Sequence, residues 1–221
     1  MALILNIDTA TSKAAVGFAD ENNIIAAETS EDQKNHAAFV QSAINEIVKA
    51  HQLRLQDIDA VAVVNGPGSY TGLRVGLASA KGLCYALGKP LILLNTLEVM
   101  ALASINQYPD KDTLHCPMID ARRMEVFTAV YNSELTALLN PQPMILTINS
   151  FNNFLQYEKV VFSGSGHRKF ESIIQNSNAV FSQVDYTIEQ ANSLAQRAFN
   201  TKKFADLAYS EPFYLKNFFS L

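Results

Sequence analysis

Leu3-Ile4-Leu5-Asn6-Ile7-Asp8, a polar turn to Lys13, Ala14-Ala15-Val16-Gly17-Phe18-Ala19, the turn Asp20-Glu21-Asn22-Asn23, and Ile24-Ile25-Ala26-Ala27-Glu28 open the chain. Short apolar runs bounded by Asp and Asn clusters read as strands, and connections this short join antiparallel neighbours. Residues 3–28 are therefore expected to form a meander of strands 3–7, 14–19 and 24–28. Downstream, Val40, Ile44, Ile47 and Val48 recur at helical spacing while Lys34, Gln41, Asn45 and Lys49 occupy other faces, which predicts an amphipathic helix over about 35–51. Ala60 to Val64 is a short apolar strand that runs into Asn65-Gly66-Pro67-Gly68-Ser69-Tyr70-Thr71-Gly72. A second helix follows from about Thr71 to Leu87. Gly88 and Pro90 stop it, since glycine takes the left-handed terminal position and proline cannot continue a helix. A strand over Leu91 to Leu94 and a helix from about Thr96 to Ile105 complete this half.

The order βββαβα is that of a ribonuclease-H-like lobe, an α/β unit built on a mixed sheet. The second half repeats the grammar weakly. Pro117-Met118-Ile119-Asp120, the turn Ala121-Arg122-Arg123 and a strand from Met124 to Tyr131 parallel the first strand, its Asp8 and its turn. Later, Val160-Val161-Phe162 enters Ser163-Gly164-Ser165-Gly166 much as Ala60 to Val64 enters its own glycine turn. Two copies of one lobe explain both the length and the repeat. Tyr108-Pro109-Asp110-Lys111-Asp112 is the expected boundary, giving an N-terminal lobe over 1–108 and a C-terminal lobe over 109–221. The second is expected to be reduced, with Pro141 and Pro143 interrupting its meander.

The 221 residues are 48% hydrophobic and only 17% charged, with a net charge of -4. Charged residues make up about a quarter of an average chain, so either this chain is unusually buried or part of its surface is normally covered. An acidic balance without a Lys/Arg run argues against independent nucleic-acid binding, because phosphate contacts need clustered cations. Cys84 and Cys116 lie far apart in apolar contexts and read as reduced core thiols. The opening apolar run lacks a basic lead and is broken by Asn6 and Asp8, unlike a signal peptide. Runs such as Pro90 to Leu94 fall far short of the ~20 residues that span a membrane. A cytoplasmic protein without membrane attachment is expected.

Gly66, Gly68, Ser69 and Thr71 form the strongest local signal. Glycines around a proline-set turn, with Ser69 or Thr71 capping the following helix, leave N–H groups converging on one spot. Such a turn either holds an anion or is a structural strand-to-helix connection; it is neither a Walker A loop nor a G-x-G-x-x-G fingerprint. Asp8 and Asp120 end equivalent strands, where a carboxylate either faces a metal or phosphate or caps the turn that follows. The histidines, His36, His51, His115 and His167, make no metal-ligand spacing. His36, at the start of the first helix, is expected to be exposed or in a capping contact. Arg122 and Arg123 with Glu125 on a hairpin turn are a ligand grip or a solvated tip. In the second helix Gly72, Gly76 and Ser79, then Gly82 and Ala86, make a strip of small residues. Helical glycine costs about 1 kcal/mol relative to alanine, so close packing must compensate, either within the chain or against a partner.

Leu5-Asn6-Ile7-Asp8-Thr9-Ala10-Thr11, the block from Gly66 to Gly76 with Ala80-Lys81-Gly82-Leu83, Asp120-Ala121-Arg122-Arg123-Met124-Glu125-Val126-Phe127 and Pro212-Phe213-Tyr214-Leu215-Lys216 together resemble the TsaB (YeaZ) family. These are bacterial accessory proteins of tRNA threonylcarbamoyladenosine biosynthesis. The match spans the chain in order, with Tyr70 where Phe is usual and Lys216 where Arg is usual. The resemblance implies an actin/hexokinase/Hsp70-like (ASKHA) fold of two ribonuclease-H-like lobes. It also implies a role in forming N6-threonylcarbamoyladenosine at position 37 of tRNAs reading ANN codons.

The implied partners are a TsaD-like catalytic subunit, bound through the two N-terminal-lobe helices, and a TsaE-like ATPase, with tRNA reached only through the complex. That interface would carry His36, Phe39, Val40, Gly72, Val75, Gly76 and Ser79, and the isolated chain could pair with itself there. The catalytic relative carries a metal-binding Asn-His-Leu-Glu-Gly-His type of segment. Here it reads Asn95-Thr96-Leu97-Glu98-Val99-Met100, with Thr96 and Met100 in the histidine positions. No metal and no cofactor are therefore expected, and the chain is expected to be a non-catalytic partner. The alternatives are a glycoprotease-type metallopeptidase, which needs those histidines, and an ATP-binding sugar- or acetate-kinase-like protein, which needs a glycine at Ala10.

Overall fold

The computed structural model describes residues 2–21, 23–32 and 35–216; Asn22 of the second expected turn and Lys34 of the first expected helix lie outside them. The chain divides into two compact units, Met1–Thr96 with Thr187–Phe213, and Leu97–Tyr186 with Tyr214–Leu221.

In the first unit, β1 (Ile4–Asp8), β2 (Ala14–Ala19) and β3 (Ile24–Ser30) form the antiparallel meander, and β4 (Ala60–Gly66) and β5 (Leu91–Asn95) extend it in parallel, in the order β3-β2-β1-β4-β5. Alternate residues of a strand face opposite sides of its sheet. Leu5, Ile7, Val16, Phe18, Val61 and Val63 form one core with Val40, Ile44 and Ile47 of α1 (His36–Ala50) and Leu77, Ala80 and Cys84 of α2 (Tyr70–Leu87). On the other face, Asn6 and Gly17 meet α6 (Ile188–Asn200). Asn6 donates to Asn192 Oδ1 (3.2 Å), Asn192 donates to the Asp20 carbonyl (2.7 Å), and a Cβ on Gly17 would lie 2.7 Å from Ile188. With helices on both sides, β1, β2 and β4 are buried throughout, which is why they read as continuous apolar runs.

The second unit repeats this plan. β6 (Thr113–Asp120), β7 (Glu125–Tyr131) and β8 (Ala137–Ile145) are antiparallel, and β9 (Lys159–Ser163) and β10 (Ala179–Phe181) continue in parallel, giving β8-β7-β6-β9-β10. Read outward from the first strand of each, the two sheets share one order. Phe151, Phe162 and Phe170 pack edge to face at centroid distances of 4.9–5.4 Å in its core.

Three expectations need correction. The units do not divide at 1–108 and 109–221. α3 (Thr96–Gln107) gives Leu97, Met100 and Ala101 to an apolar cluster with Ile119, Ala129 and Tyr131, so most of it belongs to the second unit, while α6 completes the first. The reduction of the second unit falls on its helices, α4 (Asn152–Leu155) and α5 (His167–Glu171), and not on its strands. Pro141 and Pro143 do not interrupt the meander. They lie within β8, whose edge position tolerates a missing N–H.

Candidate functional site

The glycine turn between β4 and α2 docks on the turn after β1. Gly66 has a φ of 123° and the Gly66–Pro67 peptide is cis. Ser69 N–H donates to the Ala10 carbonyl (2.7 Å), and the Ser69 hydroxyl caps α2 by accepting from Gly72 N–H (3.3 Å). A Cβ on Gly68 would fall onto the Ala10 carbonyl, and one on Gly72 onto the Thr9 carbonyl. Thr9 Oγ1 in turn donates to the Gly72 carbonyl (2.7 Å). The glycines at 68 and 72 thus let two backbone segments of one chain touch, and Thr71 is exposed. This is the structural reading of Gly66, Gly68, Ser69 and Thr71. Asp8 and Asp120 likewise cap their turns, accepting from Ala10 N–H (2.8 Å) and Arg122 N–H (2.6 Å).

Much of the expected helix interface points inward. A Cβ on Gly76 would strike Thr9 Oγ1 and lie 3.4 Å from Val63. Gly72 and Gly76 are buried, and Val40 is wholly so. Close packing within the chain accounts for these positions. His36 is neither exposed nor capping: it is 3% exposed, and its two ring nitrogens have no hydrogen-bond partner among the described residues. Phe39 and Val75 are half-buried against the core, and the Ser79 hydroxyl accepts from Gln41 Nε2 (3.4 Å), tying α2 to α1.

Much of what α1 and α2 turn outward is small and neutral, with Glu46 and Lys49 of α1 and Arg74 of α2 as its exposed charges. Ala37, Ala38, Gln41, Ser42 and Asn45 are exposed on α1, as are Ala78, Gly82, Tyr85 and Ala86 on α2. A Cβ on Gly82 meets nothing within 4 Å, and Tyr85 is 84% exposed. The cations of α2 are engaged. Arg74 lies 3.9 Å over the Tyr70 ring, and Lys81 donates to the Ala208 and Ser210 carbonyls (both 3.1 Å). That lysine ties a C-terminal strap to the helix, and Tyr209, between the two carbonyls it holds, is 85% exposed. The strap then reaches the glycine turn, where Phe213 N–H donates to the Asn65 carbonyl (2.8 Å) and Asn65 Nδ2 to the Glu211 carbonyl (3.0 Å). Lys81, a cation set among small and apolar residues of α2, was the sequence signal for the strap; Tyr209 left none.

In the second unit, Arg122 and Arg123 form the tip between β6 and β7, both exposed and both left-handed, with φ of 70° and 47°. At the base, Lys169 pairs with Asp120 (2.6 Å) and Lys216 with Glu125. Desolvation pushes the Asp120 carboxyl up, but the Lys169 ammonium and the Arg122 N–H outweigh it and hold it below the ordinary carboxylate range. His115 is fully buried, with Nδ1 2.8 Å from Ser104 Oγ, and desolvation pulls it down to about 4. Burial pushes the Cys84 and Cys116 thiols up to about 11 and about 12, so neither is a thiolate at neutral pH. Thr96 and Met100 are buried, and no group of three His, Cys, Asp or Glu side chains that could hold a metal occurs among the described residues. No helix among them is long and apolar enough to cross a membrane.

A family model described as TsaD, tRNA N6-adenosine threonylcarbamoyltransferase, matches residues 23–216. The chain belongs to the TsaD family. It is 34% identical over 128 residues to the tRNA threonylcarbamoyladenosine biosynthesis protein TsaB of Bacillus subtilis, covering 58% of this chain and 54% of that protein. It is 26% identical over 226 residues to TsaB of Escherichia coli, covering 97% and 94%. A crystal structure from Pseudomonas aeruginosa, of an uncharacterized protein with similarity to the peptidase YEAZ, superposes with a TM-score of 0.83 at 22% identity over 98% of this chain and all of the other. The fold is thus shared at full length, and the TsaD family is where the TsaB resemblance of the sequence leads.

Proposed function

We propose that this chain is a non-catalytic, TsaB-like partner of a TsaD-type transferase and is required to form N6-threonylcarbamoyladenosine in the cytoplasm, at position 37 of tRNAs reading ANN codons. The observation that carries this reading is the outward face of α1 and α2. In a chain with so few charges, two adjacent helices present alanines, an open glycine and an exposed tyrosine, and both cations of α2 are engaged within the chain, Arg74 by the Tyr70 ring and Lys81 by the Ala208 and Ser210 carbonyls. Small residues let a second pair of helices approach closely, and an exposed tyrosine beside them has the character of an interface anchor. The interface thus moves outward from Gly72 and Gly76 to Ala78, Gly82 and Tyr85, with Phe39, Val75 and Ser79 at its edge. The same face suits self-pairing of the isolated chain. A TsaE-like ATPase joins the assembly, and tRNA is met within it.

The test is reconstitution of threonylcarbamoylation from purified transferase, ATPase, tRNA and this chain. The modification should depend on the chain, and Gly82→Arg should abolish co-elution with the transferase while leaving circular dichroism unchanged and the melting temperature no lower than wild type. A modification rate indifferent to the chain would refute the function; co-elution of the arginine variant would refute the interface.

A further inference from the structure

The tip of the β6–β7 hairpin combines conformational cost with unspent charge. Left-handed backbone is disfavoured for residues with a Cβ, by roughly 1–3 kcal/mol at each such position, and turns of this kind ordinarily use glycine or asparagine. Here both left-handed positions, Arg122 and Arg123, are arginines. The chain accepts that cost without an internal return, since among the described residues neither guanidinium enters an ion pair. The carboxylates that could have neutralised them are occupied by lysines: Asp120 holds Lys169, and Glu125 holds Lys216. Lys169 is fixed further by donating to the Glu125 carbonyl (3.1 Å). Next to it, Arg168 is a third exposed arginine. In a chain of net charge -4, the hairpin and α5, together with Lys216, thus gather five cations against three acids, Asp120, Glu125 and Glu171, all within the second unit.

We propose that Arg122 and Arg123, supported by Arg168, contact backbone phosphates of the tRNA substrate when the chain stands in its complex. The inference rests on the proposed function, which supplies the RNA. Arginine is the side chain whose planar fork matches phosphate oxygens, and a rigid turn that fixes its backbone lowers the entropy lost on contact. Three free cations are too few to hold RNA unaided, and most of the affinity comes from elsewhere in the assembly.

The experiment measures tRNA affinity of the reconstituted complex over a salt series, together with steady-state modification kinetics, for wild type, R122G/R123G and R122K/R123K. Glycine suits a left-handed backbone, so the first variant removes charge without threatening the fold. It should bind tRNA about tenfold more weakly, with a log-affinity against log-salt slope shallower by about 1 to 2, and keep kcat at saturating tRNA. The lysine variant should stay near wild type in slope. Unchanged affinity and slope in R122G/R123G would overturn the proposal, as would loss of transferase from the complex, which would make the tip a protein contact. A modification that needs the chain but ignores both variants defeats this inference alone. One that runs without the chain defeats the function as well.

Discussion

Glycine to alanine adds one methyl group, and at two positions of α2 the surroundings give that methyl opposite signs. At Gly82 it enters open space, so the change reduces to helix propensity, a gain of about 1 kcal/mol. For a chain of this length that raises Tm by about 2–4 °C. At Gly76 the same gain applies, but the methyl strikes Thr9 Oγ1, with Val63 closing the other side at 3.4 Å. Thr9 is fully buried and donates to the Gly72 carbonyl (2.7 Å), so moving it costs roughly 1–3 kcal/mol of overpacking and about 1 kcal/mol of hydrogen bond. The net is a loss of about 1–3 kcal/mol, and the two variants should differ by about 2–4 kcal/mol. Urea unfolding followed by circular dichroism, with thermal melts as a second measure, gives both signs. Equal effects, or a stabilised G76A, would refute the packing of α2 on the Thr9 turn, and with it the reason for relocating the partner face to Gly82.

Burial holds His115 near 4 in the folded chain, against about 6.5 when unfolded, so its contribution is complete above 6.5 and is lost as pH falls toward 4. That is of order 3 kcal/mol, and His115→Gln should flatten the stability profile between these values. An unaltered profile would show that another group controls it; Asp120, also held low, titrates below this window. At the α6 contact, Asn192→Ala leaves the Nδ2 of Asn6, 1% exposed, with only the Ile4 carbonyl (3.4 Å) and should cost about 1–3 kcal/mol, with faster hydrogen exchange in α6. The double variant N6V/N192L should recover most of that loss, and failure to recover would mean that the pair does more than satisfy itself.

Much of the fold was legible because fully buried strands are written as apolar runs and both lobes use the same order. Ala14–Ala19 and the helix ending at Gly88 carried their own boundaries in turn residues and a glycine stop. The assignment of α3 and α6 to units was not legible. Which sheet a helix covers depends on long-range partners, such as Asn192 for Asn6, and a local pattern does not specify these. The same limit explains the interface. Spacing picked out Gly72 and Gly76 as small, but whether small residues admit a neighbouring helix or their own chain depends on what lies opposite, here Thr9. His36 misled for a related reason, since a polar residue at a helix start reads as solvated until the fold buries it. The cationic tip was visible as two arginines, but not the lysines that free them.

The discontinuity of the first unit has a consequence for biosynthesis. Its final helix and strap lie at 188–213, after every strand of the second unit. A chain emerging from the ribosome therefore exposes the Asn6 face of β1 until α6 arrives, while the second unit already has all five of its strands. The usual order, in which the N-terminal domain matures first, is reversed. Chains arrested before residue 188 should accumulate as a folded second unit trailing an unfinished first, and chaperones should be needed most in that interval.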